Sequence, residues 1–379
     1  MRVALAAGGT GGHVMPAVAL AEALREEAPG IEVLFFSGRR EQEVAWYRQA
    51  GADPVQLPAA PIGRGAAGKL RGLWGAWNSY WKARKALRRW GAQCVVGLGG
   101  YVSGPCVLAG KQLGLPTVIH EQNAIAGKAN RWLARRVAVV ATTFPQAFSS
   151  VHGVQAVETG NPIRERVLAK VPKKEALAHF RLDSQRLTLL ASGGSQGAQR
   201  LNEALIRFLA YPPRGAASRV QIIWLAGTRN RDWVERQLQG IDAPSPLRLV
   251  PFLEEMSLAY AAADAILCRA GSASLAEAAA WGLPMIAVPF PWAADDHQRL
   301  NAEFFAKAGA CVVLEERDLD ARGLSAAIEL ILGDEERRRR MSQAALGLAR
   351  PDAARNLARL TLEALRKARI HSARPCNST

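Results

Sequence analysis

The sequence holds no C-x-x-C pair: its five cysteines, Cys94, Cys106, Cys268, Cys311 and Cys376, are scattered and odd in number. That excludes a disulfide framework or cysteine zinc site and points to free thiols in a reducing compartment. No apolar run reaches the roughly 18 residues that span a bilayer. The stretch after Met1-Arg2, Val3 to Ala7, is too short for a secretory h-region and runs straight into a glycine loop, so no signal peptide is expected. A dinucleotide fingerprint G-x-G-x-x-G fails where Val14 stands, and no P-loop G-x-x-x-x-G-K-[ST] occurs. Zinc is not expected at His120-Glu121, because Ala124 occupies the place of the second histidine in H-E-x-x-H. Acidic residues are also short: 33 Asp and Glu against 49 Lys and Arg leave a net charge of +16. Such an excess favours anionic partners, whether nucleic acid, acidic lipid headgroups or phosphorylated substrates. The nucleic-acid class lacks support, since there is no zinc finger, RNP box or basic zipper.

What is present suits two globular domains: 379 residues, 49% of them hydrophobic. Continuous apolar runs at Val3–Ala7, 33–36, 94–97, 117–119 and 137–141 read as strands buried on both faces of a parallel sheet. The first helix is expected over Ala17–Glu27. Turn residues Thr159-Gly160-Asn161-Pro162 break the series, and a second begins at 187–190 and continues at 221–225, 247–250, 265–268, 284–288 and 311–314. The fold class expected is α/β, two doubly wound Rossmann-like domains with ligands bound at the carboxyl ends of their strands in an interdomain cleft. The domains are expected at 1–160 and 161–350, followed by a helix over 351–370 started by Pro351 and a disordered tail at 371–379.

Each series carries a glycine turn between strand and helix: Gly8-Gly9-Thr10-Gly11-Gly12-His13 and Gly193-Gly194-Ser195-Gln196-Gly197. Glycines there permit positive φ and let backbone N–H groups approach an anion at a helix N-terminus; a plain tight turn needs fewer of them. Gly193-x-Ser195-x-Gly197 also fits a serine-hydrolase elbow, with Asp264 and His297 in the right chain order, though this leaves the first turn unexplained. His13, at the positive end of a helix, is expected neutral, either as a general base or bonded to a local carbonyl. His120-Glu121-Gln122-Asn123 follows a strand and either lines a ligand crevice or caps a helix near Ile125. Ser274 and Glu277 have capping-box spacing, while Glu277 equally suits a ribose diol. Asp295-Asp296-His297-Gln298 could bond sugar hydroxyls, and Asp318-x-Asp320 is a D-x-D that precedes a polar, surface-like helix. Finally Leu70, Leu73, Trp74, Trp77 and Trp81 share one helix face among Lys69, Arg71, Lys82, Arg84, Lys85, Arg88 and Arg89. That stripe packs against the core or meets anionic headgroups; glycines 68, 72 and 75 weaken the helix.

Taken in order with Gly99-Gly100-Tyr101-Val102-Ser103-Gly104-Pro105 and Gly160-Asn161-Pro162-Ile163-Arg164, these motifs resemble the MurG family over about residues 1–350. These are the family-28 UDP-N-acetylglucosamine transferases of peptidoglycan synthesis. The resemblance implies a GT-B fold and an inverting, metal-independent and cofactor-free transfer of N-acetylglucosamine. The donor would be UDP-N-acetylglucosamine and the acceptor undecaprenyl-pyrophosphoryl-MurNAc-pentapeptide (lipid I), giving lipid II and UDP. It implies a peripheral protein on the cytoplasmic face of the bacterial plasma membrane; the oligomeric state stays unread. By motif, Ser195 falls at the diphosphate, Arg164 and Leu253 near uracil, and Glu277 at the ribose. The preceding Ser272, Ala273, Ser274, Leu275 and Ala276 line the nucleotide. Asn123 and Gln298 face the sugar, with the register at Gln298 open by one residue. Thr10, Gly11 and Gly12 close the site, and His13 is the base. A related lipid glycosyltransferase and a UDP-N-acetylglucosamine epimerase are the alternatives.

Overall fold

The computed structural model describes residues 1–59, 65–194, 197–210, 220–241 and 246–372. It divides into two compact units: residues 1–164 with the chain from Pro351 onward, and Glu165–Arg350.

In the first unit the strands are β1 (Arg2–Ala6), β2 (Glu32–Ser37), β3 (Val55–Gln56), β4 (Cys94–Gly97), β5 (Thr117–Glu121), β6 (Val139–Thr142) and β7 (Ala156–Glu158). They form one sheet in the order β3-β2-β1-β4-β5-β6-β7, and every pairing is parallel. The central strand β1 shows why its run is apolar throughout. Val3 and Leu5 enter one core with α1 (Gly11–Glu27) and α15 (Ala353–Ser372), while Ala4 and Ala6 enter another that includes Ala83 and Leu87 of α3 (Gly65–Trp90). Leu5 is fully buried, so Leu5→Ala would cost about 2–5 kcal/mol. The last helix places Leu357, Ala358, Leu362 and Leu365 in the first of these cores. Two salt-bridged arginines, Arg355 and Arg359, tie it to Glu27 of α1. His371 and Ser372 still belong to this helix, and the rest of the expected disordered tail lies outside the described residues.

Several helices of the first unit differ from the sequence reading. Helix α15 begins at Ala353, so Pro351 stands in the turn before it and does not start it. Helix α1 begins at Gly11, six residues before Ala17, and contains Pro16. Proline lacks the N–H that would bond the carbonyl of Gly12, but burial of Val14, Ala17, Val18 and Leu20 outweighs that loss. Likewise α3 runs unbroken through Gly68, Gly72 and Gly75.

In the second unit the strands are β8 (Thr188–Ser192), β9 (Gln221–Leu225), β10 (Leu247–Val250), β11 (Ala265–Arg269), β12 (Met285–Val288) and β13 (Cys311–Val313). Their order is β10-β9-β8-β11-β12-β13, again all parallel. In each sheet the order reverses beside the strand that carries the glycine turn, β1 and β8, which is where a doubly wound fold opens its ligand site.

Candidate active site

In the first unit the site begins with the turn after β1. Thr10 is the N-cap of α1, and its Oγ1 lies 3.2 Å from His13 Nδ1 instead of capping a backbone N–H. The N–H groups of Gly11 and Gly12 head the helix, where the geometry gives them no intrahelical acceptor. The turn after β4 packs directly on it. Gly99 and Gly100 have φ of 94° and 73°. A Cβ on Gly99 would lie 2.6 Å from His13 Cδ2, and one on Gly100 would collide with the Gly8 carbonyl. These glycines are required because both hold positive φ where Gly100 meets the Gly8 backbone and Gly99 meets the His13 ring.

The polar run after β5 divides by role. His120 is fully buried, and its Nε2 lies 2.9 Å from Gly160 O, which can only accept, so Nε2 carries the proton. Burial pushes its pKa down to about 4, against the smaller opposing effect of that bond, so the ring is neutral. Glu121, also buried, accepts from Asn123 N–H at 3.0 Å, Asn123 Nδ2 at 3.2 Å, Gly127 N–H at 3.0 Å and Asn130 Nδ2 at 2.9 Å. It organises the loop that leads to α5 (Lys128–Leu133), which starts three residues later than Ile125. Gln122 donates to Leu98 O at 2.6 Å. Of the four, only Asn123 is partly exposed.

Sequence reasoning missed the buried carboxylate of Glu43 on α2 (Glu41–Gln49). It accepts from Gly38 N–H at 3.0 Å and from the Tyr101 hydroxyl. Nothing in its charged surroundings, Arg39 to Glu43, marks it as different from a solvated helix end.

In the second unit the turn after β8 leads into α8 (Gln199–Ala210). Gly194 and Gly197 have φ of 80° and 75°. A Cβ on Gly197 would lie 2.5 Å from Ala226 O, so this turn packs on the end of β9. Ser195 lies outside the described residues. After β11, Gly271 is the N-cap of α11 (Ser272–Ala280), and no side chain caps it. Ser274 is therefore inside the helix, and the Ser274–Glu277 capping box does not form. Instead Glu277 Oε2 accepts from the Tyr260 hydroxyl at 2.7 Å. Ser272 and Leu275 are buried, whereas Ala273, Ser274, Ala276 and Glu277 are partly exposed. Leu253, after β10, and Arg164, at the end of the first unit, are also partly exposed.

After β12 the chain passes through Asp295 and Asp296, both in the left-handed region with φ of 51° and 54°. Such backbone is sparsely populated by non-glycine residues and is retained where surroundings impose it. Here Gln298 Oε1 accepts from Phe290 N–H at 2.9 Å, and Arg269 lies 5.5 Å from the Phe290 ring centroid while it pairs with Glu316. The loop is thus held at both ends with Gln298 at its closure.

The hydrolase alternative fails on position. Asp264 precedes β11 and accepts from Thr188 N–H at 2.9 Å, which places it at the amino edge of the sheet. His297 follows β12 at the carboxyl edge, so a five-residue strand of about 3.3 Å per residue separates them. Asp320 of the D-x-D pattern caps α13 (Ala321–Leu332), accepting from Gly323 N–H at 2.8 Å.

The aromatic stripe faces solvent, not the core. Leu70, Leu73, Trp74, Trp77 and Trp81 are 68, 58, 67, 57 and 47% exposed, and α3 buries its other face through Ser79, Ala83 and Leu87. Trp132 on α5 is exposed as well, with the Arg136 guanidinium 4.2 Å from its ring centroid. The charge sits here too. The first unit holds 25 Lys and Arg against 11 Asp and Glu, the second 24 against 22.

Residues 3–142 match the model of the glycosyltransferase family 28 N-terminal domain, and 188–357 that of its C-terminal domain. A relative from Anaeromyxobacter dehalogenans is 40% identical over 97% of this chain and 94% of its own. It is named UDP-N-acetylglucosamine--N-acetylmuramyl-(pentapeptide) pyrophosphoryl-undecaprenol N-acetylglucosamine transferase. The chain belongs to glycosyltransferase family 28. A relative from Halothermothrix orenii bears the same name at 38% identity, covering 95% of this chain and 98% of its own. Among solved structures, MurG of Acinetobacter baumannii superposes with a TM-score of 0.75 at 28% identity, covering 96% and 99% of the two chains. A UDP-GlcNAc 2-epimerase from Neisseria meningitidis reaches 0.67 at 13% identity over 96% and 100%, which speaks for the fold alone. The two-domain GT-B architecture and glycosyltransferase activity follow from family 28 membership.

Proposed function

We propose that this glycosyltransferase moves N-acetylglucosamine from UDP-N-acetylglucosamine to undecaprenyl-pyrophosphoryl-MurNAc-pentapeptide, releasing UDP. One observation carries the reading. The donor and acceptor motifs stand at the carboxyl ends of strands in two parallel sheets, in a chain 40% identical over 97% of its length to a relative named for that reaction.

The chemistry follows from the residues. UDP leaves as a diphosphate, and the N-terminal N–H groups of α11, with the Ser195 turn, offer donors to its charge without a proton transfer. Glu277, fixed by Tyr260, accepts from the ribose diol. Arg164 and Leu253 border the uracil, and Ser272 to Ala276 supply the intervening wall. Asn123 and Gln298 bond the sugar. On the acceptor side, His13 Nδ1 lies 3.2 Å from Thr10 Oγ1, and in the tautomer with its proton on Nδ1 the ring takes the proton of the attacking hydroxyl at Nε2. The bond to the anomeric carbon forms from the face opposite UDP, so configuration inverts. Thr10, Gly11 and Gly12 sit beside this reaction.

The exposed stripe of α3 and Trp132, among basic residues, suits a surface that rests on anionic headgroups and meets a polyprenyl acceptor there. Among the described residues no helix is long and apolar enough to cross a membrane. The protein would then act as a peripheral one on the cytoplasmic face of the plasma membrane. The test is UDP release with and without a lipid I analogue, in EDTA. Release only with acceptor is expected. Donor turnover without acceptor would favour epimerase chemistry, and folded protein with no turnover would refute the proposal.

A further inference from the structure

We propose that Glu43 is a positioning residue for transfer: its buried carboxylate sets the backbone of the Gly8–Gly12 turn and thereby His13. The inference rests on the reading of His13 as the base.

Helix α2 and the residue before it bond the carbonyls on either side of Gly8. Tyr47 Oη donates to Ala7 O at 2.9 Å. At Gly8 there is no room for a side chain: a Cβ would lie 3.0 Å from Glu43 Oε2 and 2.7 Å from Val102 Cγ2. Arg40 Nη1 donates to Gly9 O at 3.2 Å, and Arg40 Nε is 3.9 Å from Glu43 Oε1. Glu43 is the centre of this grip. It takes Gly38 N–H from the loop after β2 and the Tyr101 hydroxyl from the loop after β4. Because β1 lies between β2 and β4 in the sheet, one carboxylate bonds the loops on both sides of the Gly8 turn and packs against Gly8 between them. Tyr101 carries the constraint onward, since it adjoins Gly99 and Gly100, whose backbone abuts His13 and Gly8.

Stability alone does not explain a carboxylate here. Glu43 is 1% exposed, and desolvating a charge costs several kcal/mol; apolar replacements of buried ion pairs are often neutral or stabilising. An apolar side chain could fill the space, but it could not bond the Gly38 and Tyr101 loops at once. Burial and the bond to Glu43 hold the Tyr101 phenol well above its ordinary range, so it stays the donor.

The experiment uses the full chain with Glu43→Gln, Tyr101→Phe and the double variant, assayed with UDP-N-acetylglucosamine and a short-chain lipid I analogue. A slightly displaced base lowers turnover without loosening the donor, so each single variant should lose about tenfold or more in kcat. The donor KM should stay within about twofold, and the double variant should be little worse than the poorer single one, because both changes break one device. A folded variant that keeps kcat, a tenfold rise in donor KM, or losses that multiply would overturn the proposal. If Glu43→Gln does not fold, Tyr101→Phe decides alone, as it removes one oxygen atom. Hydrogen exchange gives a readout independent of turnover. Amides of residues 8–13 should exchange faster in Glu43→Gln, and unchanged exchange would also overturn it. Wild-type protein without turnover would count against the transferase reading, while the exchange result would still judge Glu43.

Discussion

Replacing Trp74, Trp77 and Trp81 together with serine should release the protein from anionic membranes while leaving its chemistry intact. Their exposure, 67, 57 and 47%, leaves roughly half of each large indole available to an interface. An aromatic side chain buries about 150–250 Å² when covered, so the three could bury about 300–400 Å² in all. At about 25 cal/mol per Å² that is nearly 10 kcal/mol for complete burial. Interfacial helices immerse only part of their apolar face, so about 3 kcal/mol is a conservative loss, on the order of a hundredfold in partitioning. Nearby Arg71, Lys82, Lys85, Arg88 and Arg89 are unchanged, and each basic residue close to an anionic surface adds about 1 kcal/mol. Residual binding should therefore persist at low salt and vanish at high salt. The assay is cosedimentation with vesicles of phosphatidylcholine and phosphatidylglycerol, alongside turnover of a short-chain acceptor in solution. Wild-type partitioning by the triple variant would refute the reasoning, as would equal loss of solution turnover, which would place the stripe in the catalytic fold.

Three further outcomes follow from the site. Glu277→Ala should raise the donor KM by about 10- to 100-fold, as expected for hydrogen bonds to a charged group, and Tyr260→Phe should do so less; steady-state kinetics against UDP-N-acetylglucosamine decide. His13→Ala should instead lower kcat by about 10²–10⁴-fold with the donor KM nearly unchanged, and the reverse pattern would exchange the two roles. His120 gives a pH signature. Its folded-state pKa of about 4 lies below the unfolded 6.5, so the unfolded chain binds the extra proton between those values. Its contribution is complete above about pH 6.5 and declines as pH falls toward 4. Thermal melts should drop over that window by less in a folded His120→Gln variant; identical slopes would remove His120 as a cause.

Much of the fold was legible because a parallel sheet buried on both faces writes itself as short continuous apolar runs. Strands β3 and β7 were not, since Val55–Gln56 and Ala156–Glu158 are brief edge segments with polar content. The start of α1 was hidden by Pro16 and by Gly11 and Gly12, all poor helix residues; tertiary burial decides there. The glycine motifs were visible, but not their reason. Gly8 and Gly38 lie against a carboxylate that sequence places in a charged run, and burial of Glu43 depends on loops far apart in the chain. The stripe on α3 was legible as a face, whereas its exposure depends on which side packs against the sheet. The donor-side capping box was a local regularity that Gly271, acting as N-cap, set aside.

The most direct test supplies the purified protein with UDP-N-acetylglucosamine labelled in the sugar and a defined lipid I analogue, in EDTA, and characterises the product. The account predicts label joined to the acceptor's muramyl sugar with inverted anomeric configuration, UDP in equal amount, and no labelled product without acceptor. A retained configuration, or label released as free sugar or as an epimer with the acceptor untouched, would contradict it.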